Sequence, residues 1–245
     1  MNKVVIVTKA RSGSNLLLSL LNSHPDFYFH GEVYKPGFVA TFRTSGKFRR
    51  IYGVEPIELR ENDPIKFLDA IYSTSPRKQK AVGFKLFFYH NKDVLDYIIN
   101  DKDIKIVLLE RENRLASFSS LLIGQRTSTW QQQVDKDENS ASPGTVKVDF
   151  KVEDLIEYKR KTDRTYERFR NRITDPSRLF EARYHELLDS EFQQRLVSFL
   201  GGEPNVPLEA GVVKQNPAKL VDRFTNAQDV MSYLESAGLS HWAEE

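Results

Sequence analysis

The chain has 245 residues, enough for one domain with a full core or at most two small ones. Its 36 Lys and Arg nearly balance 34 Asp and Glu, and the formal charge of +2 argues against a long-range polyanion binder, so any anion site must be local and no nucleic-acid partner is expected. The lack of cysteine excludes disulfides, zinc–thiolate clusters and a thiol nucleophile and suits a cytoplasmic setting; the five histidines show no metal-ligand spacing, and no metal is expected.

Lys3–Thr8 is a β-branched run of the kind found in buried parallel strands, and Asn15–Ser23 carries leucines around most of a helix. Neither Met1–Val7 nor Leu16–Leu21 is long enough for a signal h-region or a membrane span, so the chain reads as soluble with no membrane span. Lys80–Phe88 and Ile104–Glu110 are further strands, followed by helices over Asp93–Asn100 and Arg114–Ile123. Strand, helix, strand, helix predicts an α/β fold with a central parallel sheet flanked by helices, in a single domain over 1–245. The polar stretch "DKDENSASPGT" marks a mobile loop at about 135–149. A charged helix over Val152–Arg172, a strand over Arg178–Tyr184, a helix over Phe192–Leu200 ended by Gly201 and Gly202, and a capped helix in "NAQDVMSYLESAG" complete the chain. No internal repeat is present.

Between the first strand and helix lies "ARSGSN", which brings several backbone N–H groups and a helix dipole to one point. Gly13 permits close backbone approach, Ser12, Ser14 and Asn15 add short donors, and Arg11 can fork two bonds onto a phosphate. The plain alternative is a tight strand-to-helix connection with Ser/Asn capping. The nucleotide triphosphate loop needs G-x-x-x-x-G-K followed by Ser or Thr, and the dinucleotide fingerprint needs G-x-G-x-x-G; neither is here. A second constellation follows the strand "IKIVLLE": Arg111 immediately after it, and Ser119 eight residues on, inside the next helix.

With these two in order, the chain resembles the PAPS-dependent sulfotransferases, whose P-loop-like fold places a 5′-phosphosulfate loop after one strand and a 3′-phosphate Arg/Ser pair after another. "EARYHELLDSEFQQRLVSFLGGEP" is similar to that family's Y-E-D-L segment and following helix, with His185 and Glu186 standing where Glu-Asp is usual. "HGEVYKP" and "VVKQNPAKLVDRFTN" resemble the bacterial carbohydrate and nodulation-type branch. The Arg-Lys-Gly closing motif of the phenol and steroid enzymes is absent.

The resemblance implies transfer of a sulfuryl group from 3′-phosphoadenosine 5′-phosphosulfate (PAPS) to a hydroxyl or amine of a small-molecule or glycan acceptor, leaving adenosine 3′,5′-bisphosphate (PAP). It assigns Arg11, Ser12, Gly13, Ser14 and Asn15 to the 5′ end of the donor, Arg111 and Ser119 to its 3′-phosphate with Lys214 closing over it, and Tyr184 to its adenine. It makes Glu32 the general base, with His90 the rival and Lys85 an aid at the sulfuryl group. Plainer readings stand beside each: ion pairs of Arg111 with its glutamate neighbours and of Glu32 with Lys35, a helix-face Ser119, a core Tyr184, a structural His90 and a solvent-facing Lys85. His24 and His30 read as turn residues and Trp130 as core. The basic, aromatic stretch Tyr34–Gly53 is a candidate receiver of an anionic or glycan acceptor. A divergent phosphotransferase and a non-catalytic nucleotide-binding module are the other functional classes. Oligomeric state is not legible.

Overall fold

The computed structural model describes residues 1–37, 39, 45–75, 78–127, 146–211 and 219–244. Lys214, Trp130 and most of the loop at 135–149 lie outside the described residues. The chain divides into two compact units: Met1–Lys9, Gly13–Glu110 and Arg172–Gly211 form the first; Ala10–Ser12, Arg111–Asn171 and Val212–Glu245 form the second.

The first unit holds the sheet: β1 (Asn2–Thr8), β2 (Phe27–His30), β3 (Ala81–Phe87), β4 (Ile104–Glu110) and β5 (Leu179–Arg183), ordered β2-β3-β1-β4-β5. Every neighbouring pair is parallel; Val5 of β1 sits level with Phe84 on one side and Ile106 on the other. Val4 to Val7 are wholly buried because both faces of β1 are covered, which is why the strand is a continuous apolar run rather than an alternating one. Gly83 is required in the middle of β3, since a Cβ there would lie 2.4 Å from the Phe29 ring and 2.7 Å from the Val4 carbonyl oxygen.

Six helices accompany the sheet among the described residues of this unit: α1 (Ser14–Ser23), α2 (Ser45–Tyr52), α3 (Pro56–Asn62), α4 (Pro64–Thr74), α5 (Lys92–Asn100) and, after β5, α8 (Ser190–Leu200). Leu17, Leu20 and Leu21 of α1 fall on one face and join a core with Val4, Ile6 and Leu196. The starts of α5 and α8 follow their caps, with Asn91 Oδ1 accepting from the Val94 amide at 3.0 Å and Asp189 Oδ1 from the Phe192 amide at 2.7 Å. Gly201, at φ 82°, ends α8 in the left-handed conformation.

In the second unit α6 (Arg114–Thr127), α7 (Val152–Arg170) and α9 (Ala227–Ser236) surround a separate core that includes Leu115, Leu155, Leu220, Phe224, Val230 and Leu234. α7 buries Leu155, Thr162, Tyr166 and Phe169 and turns its charges outward in pairs such as Lys159–Asp163 and Glu157–Lys161. The long charged segment is thus a solvated helix face, as its interleaved acids imply.

The parallel α/β architecture agrees with the sequence reading, while β2 and α2–α4 are additions to it. "FYFH" spans four residues between turn signals, too few to show a period. The strand order positions the site: the chain leaves β1 for β2 on one side and leaves β4 for β5 on the other. Connections departing in opposite directions open a crevice at the carboxyl ends of two adjacent strands.

Candidate active site

In the first unit, three ionisable groups meet at the carboxyl ends of β2 and β3. Lys85 sits in β3 and Glu32 in the connection after β2; the Lys85 amide donates to the Gly31 carbonyl at 3.1 Å, which fixes the two segments side by side. Lys85 is 2 % exposed, and its Nζ lies 2.9 Å from Glu32 Oε1 and 2.7 Å from Asn15 Oδ1. The solvent-facing alternative for Lys85 is therefore overturned. Because both faces of β3 are covered, an ammonium here must find buried partners, and a carboxylate and an amide oxygen meet that need. Glu32 thus has the buried Lys85 ammonium as an ion-pair partner.

His90 lies just past β3, its Nε2 3.8 Å from Glu32 Oε2. Its Nδ1 accepts from the Phe87 amide at 3.3 Å, so the neutral ring carries its hydrogen on Nε2, facing the carboxylate. Burial, only partly opposed by the Glu32 charge, lowers the His90 pKa to about 4. A neutral ring protonated on the nitrogen nearest the carboxylate is a hydrogen-bond donor there rather than a proton acceptor.

The loop between β1 and α1 begins helix α1 at Gly13, φ 86°, so the cap position is held by a glycine in the left-handed conformation. A Cβ on Gly13 would fall 2.2 Å from Cδ2 of Tyr184, which follows β5 in a short 3-10 turn. The tyrosine ring is thus laid on the loop glycine, and Ser14 beside it is buried.

In the second unit, Arg11 has φ 66°, a left-handed backbone that a non-glycine residue rarely adopts. Its Nε donates to Ser120 Oγ at 2.7 Å, and its carbonyl accepts from Arg111 Nη1 at 3.1 Å. Burial and then the like charge of Arg111 lower the Arg11 pKa, the signature of cations held close together. Arg114 is neutralised differently, pairing with Asp163 at 2.8 Å and donating to the Arg111 carbonyl. Buried Ser119 donates to the Ala116 carbonyl and accepts from Arg223 Nη1, each at 3.1 Å. Ser12 is buried, with its Oγ 3.5 Å from the Tyr166 hydroxyl.

Within each unit, then, contacts join motif residues: Asn15, Glu32, Lys85 and His90 in the first, and Arg11 with Arg111 in the second, where Ser119 pairs with Arg223. Sequence reasoning missed Ser120 and Arg223. Ser120 is one residue beyond the motif serine, and Arg223 lies beyond the "KQN" tail; neither has a spacing signal, because tertiary packing alone makes them partners. Among the described residues no group of His, Asp or Glu has the arrangement of a metal site.

The chain is 25 % identical over 202 residues to nodulation protein H of Rhizobium tropici, covering 80 % of this chain and 74 % of that protein. It superposes on the crystal structure of a sulfotransferase from Alicyclobacillus acidocaldarius with a TM-score of 0.51 at 16 % identity, covering 98 % of this chain and 95 % of the other. The sulfotransferase domain from the curacin biosynthetic pathway superposes with a TM-score of 0.53 at 12 % identity, covering 96 % and 98 %. No family model matches the chain. The two structural likenesses share the fold described above, and the sequence likeness spans most of both chains.

Proposed function

We propose that this chain, a sulfotransferase of the bacterial nodulation type by kinship and fold, takes its sulfuryl group from PAPS and moves it to a hydroxyl of a carbohydrate or glycolipid acceptor. The observation that carries the reading is positional: "RSGSN" lies in the connection after β1, and Arg111 immediately follows β4, with Ser119 in the next helix; β1 and β4 are adjacent strands on either side of the switch in connection direction. Arg11 and Arg111 supply the positive charge that a doubly phosphorylated nucleotide requires, and their mutual repulsion is relieved when an anion binds.

In this reading Ser12, Gly13, Ser14 and Asn15 receive the 5′-phosphosulfate at the start of α1, Arg111 and Ser119 receive the 3′-phosphate, and Tyr184 borders the adenine from its place over Gly13. Lys214 belongs to the tail motif assigned to the same phosphate. Glu32 accepts the proton of the acceptor hydroxyl as that oxygen bonds to sulfur. The bond from sulfur to the bridging phosphate oxygen breaks in line, and Arg11 stabilises the electron pair left on that oxygen as PAP departs. Lys85 holds Glu32 in place, and the His90 ring stands 3.8 Å from the other carboxylate oxygen.

Calorimetric titration with PAP, set against ADP and against ATP with magnesium, tests this. PAP is expected to bind preferentially, and Arg111→Ala to weaken it by about tenfold or more, as loss of a charged hydrogen bond implies. Preference for ATP with magnesium would move the chain to the phosphotransferases.

A further inference from the structure

β3 ends at Phe87, and the turn that follows it carries Tyr89 next to His90. Tyr89 is 65 % exposed, the most exposed tyrosine among the described residues, whereas Phe87 is buried. Its ring is nonetheless held in place. The centroid lies 5.6 Å from that of Phe87, tilted by 46°, and 5.1 Å from that of His90, edge to face at 83°. The Phe87 ring in turn receives the Lys85 ammonium, 5.2 Å from its centroid. Two observations place Tyr89 beside Glu32. His90, whose ring Tyr89 touches, has its Nε2 3.8 Å from Glu32 Oε2. The Glu32 charge is also felt at the Tyr89 hydroxyl, where shielding from water and then that carboxylate push the pKa up to about 12. The oxygen is thus the sheltered end, within the field of the base, and ring surface is what meets solvent. The Glu32 side chain keeps 17 % exposure, so the carboxylate is open to a molecule arriving from solvent.

We propose that the exposed Tyr89 ring is the platform on which the acceptor docks, and that it selects acceptors with a pyranose ring over acyclic polyols. The inference deepens the sulfotransferase reading above and rests on it. A pyranose presents a face of C–H groups that covers an aromatic ring and excludes water from both, while its hydroxyls project around the rim; an open-chain polyol has no such face. A sugar laid on Tyr89 keeps its rim hydroxyls free, and the carboxylate at the edge of the platform takes the proton of one of them. Because Phe87 and His90 already brace the tyrosine, little side-chain freedom is lost on docking, the condition under which contact area converts into affinity. A single exposed tyrosine is ordinary on a protein surface. This one differs in being braced by the residues that surround the proposed base.

The test uses the full chain with PAPS and two probes, methyl β-glucoside and its acyclic counterpart glucitol, with PAP titration of every variant. Wild type is expected to show kcat/KM for the glucoside at least about tenfold above that for glucitol. Tyr89→Ala is expected to raise the glucoside KM by about tenfold with little change in kcat, the pattern of a lost docking contact, so that most of the preference disappears. Tyr89→Phe retains the ring and is expected to retain the preference. No preference in wild type, a preference unmoved by Tyr89→Ala, a Tyr89→Phe as impaired as Tyr89→Ala, or transfer to neither probe while PAP binds would overturn the platform. Loss of PAP affinity in Tyr89→Ala would overturn it as well, since the ring would then be a structural brace. Failure of wild type to bind PAP defeats the donor reading and the platform with it, whereas PAP binding retained beside a failed acceptor test defeats the platform alone.

Discussion

Glu32 and Lys85 together pose an energetic question, because a buried ammonium beside a carboxylate is costly to break and modest in net value when intact. Its use is positional: one Nζ spans Asn15 of the donor loop and Glu32, so the proposed base and the proposed phosphosulfate cradle share a pivot. Glu32→Gln keeps the shape and removes the proton acceptor. It is expected to lower kcat by about 10²–10⁴ while PAP affinity holds within about twofold. Lys85→Met leaves both Asn15 and Glu32 without their ammonium partner and is expected to lower kcat and weaken PAP binding together, read by turnover and calorimetry on the same sample. His90→Gln, which preserves a donor toward Glu32, is expected to cost less than about tenfold in kcat; a loss as deep as that of Glu32→Gln would transfer the base role to the histidine.

At the scale of elements, the β1–α1 turn concentrates what the motif needs and what it costs. Gly13 is constrained twice, by a left-handed backbone and by the Tyr184 ring. Gly13→Ala is therefore expected to destabilise the fold by more than the roughly 1–2 kcal/mol of the backbone penalty alone. In a Tyr184→Ala background the ring contact disappears and the cost of Gly13→Ala should fall back to that backbone figure, measured as a coupling in denaturant unfolding. The motif pattern stands out in the sequence because it is local: a glycine in a short loop, an arginine at a strand end, a serine eight residues on. β4 was legible for the same reason, its apolar run matching the observed bounds Ile104–Glu110. Ser120 and Arg223 were not, since only folding makes them partners of Arg11 and Ser119. Arg178 shows the converse. It is a buried arginine whose Nη1 donates to the Ile98 and Ile104 carbonyls, fastening α5 to β4, and nothing in the sequence distinguishes that structural role from a ligand-binding one.

At the scale of the molecule, the near-balance of charge conceals a strongly uneven placement. Cations are buried at Lys85, Arg60, Arg111, Arg114 and Arg223, while among the described residues Glu110 is the one buried acid. Among the described residues no helix is long and apolar enough to cross a membrane. This placement gives acid sensitivity a definite sign. His90 is held down to about 4 in the folded protein by burial, against about 6.5 for an unperturbed histidine, so the unfolded chain takes up its proton first as pH falls. Stability is therefore lost progressively between about pH 6.5 and 4, and none of this loss arises above that window. Asp163 acts further down: burial tends to raise its pKa, but bonds from Lys159 and Arg114 outweigh that and lower it, so its contribution is present above the ordinary aspartate value and fades as pH drops through the depressed one. Denaturant unfolding at stepped pH should show wild-type stability declining from about 6.5 downward. In His90→Gln the upper part of that decline should flatten while the carboxylate part below about 4 remains. An unchanged profile in the variant would mean that the ring takes up its proton in the folded state near the ordinary histidine value, and with that the neutral donor role toward Glu32 would fail.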